Sequence, residues 1–195
     1  MTATLLALLF AFAPVVTESG RFTIRQDGQV VGTERFTIQS TAKGYIAEGR
    51  TELSGSQNTI TSRMELDENL KPISYEYNNG QGKIRVKIQN PLSELTIADQ
   101  VGESSTDFRF PDNGTIIDNN FFHHYLLLMY RIGTPNQTVN VFVPQDMQVG
   151  RASVRMTGSH TYALEVGDVK LEATVDAEGR LQRLVVPAAK VVVER

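Results

Sequence analysis

The sequence predicts a mainly β protein: a curved antiparallel meander, in effect a half-open barrel, with one apolar helix packed on its concave face. Three observations point there. Two-residue alternation of apolar and polar side chains runs through most of the chain, the pattern of strands with one wet and one buried face. Turn-forming pairs separate these runs at spacings of about 8–12 residues, as hairpins in a curling sheet require. A single segment, Asp118 to Ile132, breaks the alternation with helical spacing.

The first residues stand apart from the fold. Leu5 to Ala13 (LLALLFAFA) is an apolar run, shorter than the ~20 residues that a membrane-spanning helix needs. It fits the core of a secretory signal, with Ala11-Phe12-Ala13 as a small-x-small cleavage site. Cleavage before Ser19 or Gly20 fits equally, because Pro14 suits the first cut poorly and no Lys or Arg precedes Arg21. Residues 1–19 are therefore expected to be a signal peptide and 20–195 a single β-rich half-barrel domain, periplasmic or secreted. The alternative is an N-terminal strand or buried helix.

The clearest strand is Lys83 to Gln89 (KIRVKIQ), where apolar and polar residues alternate without a break. Ile60, Met64 and Leu66 repeat the pattern, as do Ile73, Tyr75 and Tyr77, and later Val169, Leu171, Ala173 and Val175. Turn chemistry falls between the runs at Asp27-Gly28, Gly55-Ser56, Asn79-Gly80, Gly167-Asp168 and Glu178-Gly179. Asp99 to Gly114, rich in Gly, Ser and Asp, is expected to be a long mobile connection into the helix, and Gly133 to Thr138 a polar exit from it.

The helix itself is expected over Asp118 to Ile132. Asp118, Asn119 and Asn120 supply N-cap oxygens, Gly133 suits the residue past the last turn and Pro135 prevents resumption. At ~100° per residue, Leu128, Phe121, Ile132, Tyr125, Met129, Phe122 and Leu126 share an arc of roughly 160°. So wide a stripe needs a concave surface broader than one neighbouring helix. His123, His124, Leu127, Tyr130 and Arg131 fill the other side, where the two histidines are expected to be solvated.

Composition excludes several functions. The chain has no cysteine, hence no disulfide framework, thiolate nucleophile, Cys-based zinc site or acceptor for a covalent lipid anchor. Nineteen basic against 22 acidic residues give a net charge of −3, which argues against a nucleic-acid partner and gives no support for attraction to anionic headgroups.

Other constellations are weak. Adjacent histidines on a helix diverge by ~100°, so His123 and His124 do not converge on one metal. His124 and Arg131 lie on one side of the helix, near Asp118 and Asp112, and are candidates for contact with an anionic head, against the simpler alternative of a surface cluster. Ser159-His160 lies between two strands and lacks the nucleophile-elbow context. Asn113-Gly114-Thr115 and Asn136-Gln137-Thr138 match the glycosylation pattern but suit turns as they stand. Lys83, Arg85 and Lys87 form a basic row that Glu76 and Glu94 are placed to neutralise across the strands.

A signal-like start, an antiparallel meander, one late apolar helix and a closing stretch Val175 to Leu184 (VDAEGRLQRL) together resemble the bacterial periplasmic lipoprotein-carrier superfamily. The likeness is nearest to the secreted domains grouped beside it, which open with a strand pair like Arg21-Phe22-Thr23-Ile24 and Val31-Gly32-Thr33-Glu34. It spans most of residues 20–195 and is one of pattern, with no catalytic residue to carry over. It implies a half-open barrel whose apolar face, partly plugged by the helix, holds acyl chains. The absence of tryptophan gives no support for the Gly-x-Trp start of lipocalins, the other barrel-plus-helix family.

The sequence thus leads to a non-catalytic exported domain that binds a hydrophobic small molecule or lipid. Phe121, Phe122, Tyr125, Leu126, Leu128 and Met129 are the expected ligand-binding side, and no cofactor or metal is called for. The alternative is a structural or protein-interaction module of the cell envelope with a filled core.

Overall fold

The structure is a computed structural model that describes residues 17–133 and 137–195. The expected signal segment therefore lies outside the described residues up to position 16, and so do Pro135 and Asn136. Strands β1 (Glu18–Gln26), β2 (Gln29–Thr41), β3 (Gly44–Leu53), β4 (Thr59–Leu66) and β5 (Pro72–Asn78) open the chain. They are followed by β6 (Lys83–Lys87), β7 (Ser93–Ala98), β8 (Glu103–Phe108) and β9 (Gly114–Ile116), then helix α1 (His123–Ile132). The chain ends with β10 (Gln137–Val143), β11 (Gln148–Gly158), β12 (Thr161–Val166), β13 (Val169–Val175), β14 (Leu181–Val186) and β15 (Val191–Glu194).

Strand makes up 61% of the described residues, far above the ~20–25% of an average domain, and the mainly β class is correct. All fifteen strands among the described residues belong to one sheet in the order β8-β7-β6-β5-β4-β3-β2-β1-β15-β14-β13-β12-β11-β10-β9. Two meanders thus meet in mid-sheet, where β1 pairs antiparallel with β15 (Thr23↔Glu194, Ile24↔Val193). One pair is parallel, β9 with β10 (Gly114↔Asn140, Ile116↔Phe142). Parallel neighbours need a crossover connection, and α1 is that connection. Glu18 and Ser19 already pair with Ile38 and Thr37, so the first strand reaches two residues further back than the expected domain start at 20.

The sheet curls but its ladder does not close, because β8 and β9 remain the two edges. Near the seam the Tyr75 hydroxyl of β5 donates to Asp118, just past β9. Strands β6 to β8 continue beyond this seam and overlap the other end of the sheet. Consecutive residues Gly114 to Ile117, and the neighbours Val141 and Phe142, are all buried, which a strand with one wet face would not permit. The second cover is aromatic: Phe108 of β8 stacks on Phe142 at 4.7 Å, and Phe110 meets it edge-on at 5.9 Å.

The concave face is lined by alternate residues of each strand, among them Phe22, Phe36, Ile38, Ala47, Met64, Tyr75, Leu164 and Leu184, and α1 lies against it within one continuous core. Gly49 makes room for the helix. A Cβ there would stand 2.5 Å from His123 Cε1 and 2.7 Å from Phe121 Cδ1, well inside contact distance.

Three local expectations are corrected. The helix begins at His123, five residues later than Asp118, because Asp118 closes a turn by accepting from the Asn120 N–H at 2.8 Å instead of capping a helix. His123 and His124 are buried, not solvated, at 0% and 1% exposure. Seven of the ten α1 residues are buried, Leu127 on the expected polar side among them, so the helix is enclosed on nearly all sides at its start. The expected mobile connection Asp99 to Gly114 is mostly ordered: Asp99 Oδ1 accepts from the N–H groups of Val101 and Gly102, and β8 follows. Its sequence, ESSTDF, is exposed over five of six positions, so the strand carries no apolar alternation to read. The helix does end as expected, with Gly133 at a φ of 60° and its N–H on the Met129 carbonyl at 3.1 Å.

Candidate functional site: a polar cluster inside the sheet

Two-residue alternation along β2 turns Gly32, Glu34, Phe36 and Ile38 to the same inward side, and all four are buried. Glu34 thereby becomes a carboxyl group inside an apolar core, with 0% exposure. It takes over the capping of α1. The Phe122 N–H donates to Oε2 at 2.6 Å and the His123 N–H to Oε1 at 3.3 Å, while Oε1 lies 2.5 Å from His123 Nδ1. No cap comes from the helix's own sequence.

Burial pushes the Glu34 acid up to about 8, against the two backbone N–H groups that favour its anion. Burial likewise drives His123 down to about 3. Near neutral pH the contact is therefore a hydrogen bond between a neutral acid and a neutral imidazole, not an ion pair. The acid proton lies toward Nδ1, which leaves the histidine proton on Nε2.

His124 packs face-on to Phe121 at 5.7 Å, edge-on to Tyr75 at 5.7 Å and edge-on to His123 at 4.5 Å. Burial, reinforced by His123, holds it well below the ordinary imidazole range, although Asp118 acts in the opposite direction. Asp118 is itself buried and accepts from Tyr75 and from the Gln145 amide, and from Asn120 through both backbone and side chain. Thr51, beside Glu34 in the register, donates to the Asn120 carbonyl at 2.9 Å.

Five buried polar atoms of this region have no hydrogen-bond partner: Ser62 Oγ, His123 Nε2, both ring nitrogens of His124, and Gln145 Oε1. Such an atom costs about 1–3 kcal/mol when left unmet. Ser62 stands in register between Gly49 and Tyr77, and Phe121 covers this row, with the Tyr77 ring 6.5 Å away. The unpartnered atoms thus gather around the first turn of α1.

Of the residues expected to bind a ligand, Phe121, Phe122, Tyr125, Leu126 and Leu128 are buried and Met129 is half-buried. His124 and Arg131 are not brought together. Seven residues separate them by ~10.5 Å along the axis, and Arg131 turns away to the Gly114 carbonyl and to Asn113 Oδ1. Ser159 and His160 form an exposed turn between β11 and β12. No group of three or more His, Asp or Glu side chains is placed to hold a metal among the described residues.

A groove of about 480 Å³ lies on the outer side of the sheet, walled by Glu48, Arg63, Glu76, Lys83 and Arg85. Arg63 bridges Glu48 and Glu65, Arg85 reaches Glu103, and Arg85 and Lys87 face Glu76 and Glu94 in register. That is the expected solvated and internally neutralised face. Sequence reasoning missed Glu34, Tyr75, Ser62 and Gln145 as one cluster. The available signal was Glu34 itself, an acid in inward phase between Gly32 and Phe36.

No family profile, no curated protein and no solved structure matches this chain.

Proposed function

We propose that the domain binds a hydrophobic ligand, an acyl chain or lipid, between α1 and the concave face of the sheet, and performs no chemistry on it. The observation that carries this reading is the way the helix is held. Apart from its approach to β10, which follows it in sequence, α1 meets the sheet largely through side chains. Leu126, Leu128 and Met129 pack into the core, and the polar anchors among the described residues sit at the two ends. Apolar contacts of this kind are non-directional, so an acyl chain can replace part of them at about 0.8 kcal/mol per buried CH₂ before ordering costs. Glu34 fixes the first turn, which makes that end the pivot and the last turn the moving end.

The apolar leader-like start supports export, with the ligand met in the periplasm or outside the cell. The test is displacement of a fluorescent fatty-acid probe from lipid-stripped protein, together with native mass spectrometry of protein taken from its own cell envelope. Leu126→Glu and Met129→Glu should weaken probe binding at least tenfold, or about 1.4 kcal/mol. Absence of saturable binding by any acyl probe overturns the proposal. A structural or protein-interaction module with a filled core then replaces it, a reading favoured by the unbroken burial of residues 121–128.

A further inference from the structure

The geometry points to a head-group site at the first turn of α1, in which Ser62, His123, His124 and Gln145 hold the uncharged, hydroxyl-bearing head of a neutral acyl lipid. This rests on the acyl-binding reading and adds to it which class of lipid is taken.

The unpartnered atoms form a mixed set. Gln145 Oε1 only accepts, a neutral His124 presents one N–H and one lone pair, and the Ser62 hydroxyl serves as either. His123 Nε2 completes the set, a donor where the neutral Glu34 acid gives its proton to Nδ1. A carboxylate offers acceptors alone. It would leave Gln145 Oε1 and the imidazole lone pair unmet, and it would place a third carboxyl group beside Glu34 and Asp118, both fully buried. Ser62 and Tyr77 border the outer groove too, but the cations of this part of the sheet, Arg63, Lys83 and Arg85, fall in the opposite phase of the alternation from Ser62, Tyr77 and Val86 and so turn outward. Both imidazoles are held neutral by burial, which removes the remaining source of attraction for an anion. Two adjacent hydroxyls, by contrast, donate and accept at once, which matches the mixed demand of these atoms. The aromatic rings of Phe121, Tyr75 and Tyr77 around the site supply apolar cover for the first carbons of the chain. Sites built to hydrogen-bond a hydroxyl discriminate strongly against ligands that lack it.

The experiment titrates lipid-stripped full-length protein at pH 6.5 with 1-monooleoylglycerol and with oleate, which share one acyl chain. The expected result is monooleoylglycerol binding at least tenfold tighter than oleate, about 1.4 kcal/mol. Ser62→Ala and His124→Leu should erase that preference while oleate affinity stays within about threefold. Should His124→Leu fail to fold, wild-type protein with ¹⁵N-labelled histidine replaces it: the ring nitrogens of His123 and His124 should shift on adding monooleoylglycerol and not on adding oleate. Equal or tighter binding of oleate, or ring resonances that ignore the glyceryl head, overturns the head-group site and leaves acyl binding standing. Failure of both lipids to bind overturns the acyl reading and this site with it.

Discussion

At its first turn α1 is fixed by a carboxyl group that water does not reach, and at its last turn by long side chains that reach across half-exposed surface. Glu34 holds two backbone N–H groups and one imidazole within a core where nothing else replaces it. At the other end the Tyr130 hydroxyl donates to Glu18, which also takes Arg195, and Arg131 reaches Gly114 and Asn113. Tyr130 and Arg131 are both only partly buried, so water meets these two donors when they leave their partners, although Glu18 and Gly114 are themselves largely buried. An unmet group at the first turn costs ~1–3 kcal/mol, whereas a hydrogen bond exchanged for water nets only ~0.5–1.5 kcal/mol. The same helix is thus rigid where it enters the core and releasable where it leaves. Local opening costs less than global unfolding, and here it has a direction.

The strongest way to break this asymmetry is to remove the buried cap. Glu34→Ala strands the Phe122 and His123 N–H groups and His123 Nδ1 together and should cost ~3–5 kcal/mol. Glu34→Gln retains an acceptor for the Phe122 N–H and a donor for Nδ1, losing only the longer contact to the His123 N–H, and should stay within ~1.5 kcal/mol of the wild type at pH 6. Urea melts of the two variants separate capping from charge. If alanine and glutamine cost the same small amount, the first turn is not anchored as described.

The second effect is a pH dependence with opposing limbs. Glu34, raised from 4.5 to about 8, keeps its proton in the folded state after the unfolded chain has lost it. Its contribution is full below pH 4.5 and falls as pH rises toward 8. His123, lowered from 6.5 to about 3, works the other way, as does His124, which is also lowered: stability is lost as pH falls below 6.5. Above pH 6.5 only the Glu34 limb remains, so stability should peak near pH 6.5 and decline by roughly 2 kcal/mol toward pH 8, at 1.36 kcal/mol per unit. Glu34→Gln should flatten the alkaline limb and leave the acid limb in place. A wild-type profile level from pH 6.5 to 8.5 would contradict the neutral-acid assignment.

The sequence was legible where the physics is local and periodic. Alternation at Lys83 to Gln89 and glycines such as Gly28 and Gly80, both at positive φ, specify strands and hairpins without knowledge of anything distant. The enclosed helix was legible for the same reason, through the spacing of Phe121, Tyr125, Leu126 and Leu128. The polar cluster was not. His123 and His124 are polar by type, and only a carboxyl 89 residues away in β2, together with a glycine in β3, makes their burial tolerable. Asp118 was an ordinary N-cap candidate until the curl of the sheet brought Tyr75 and Gln145 to it. The overlap of β8 on β10 was hidden because β8 places polar residues on an exposed edge, which blunts pairing with other chains, and meets the far end through Phe108.

The smallest expected effect sharpens the comparison from the outer end. Arg131 reaches two partners, one of them the backbone carbonyl of Gly114 at the start of β9, so it ties the last turn of α1 to the strand that precedes the helix. Its removal leaves Asn113, which is exposed, to water and the carbonyl of Gly114, a buried residue, without this partner, and Arg131→Ala should cost only ~1–1.5 kcal/mol of global stability. The local consequence should be larger than the global one. Amide hydrogen exchange ought to quicken for the final turn, where the Gly133 N–H bonds to the Met129 carbonyl, while the amides of Phe122 and His123 on Glu34 keep their wild-type protection. Faster exchange at both ends alike would show that α1 opens as a unit, and the pivot at Glu34 would have to be abandoned.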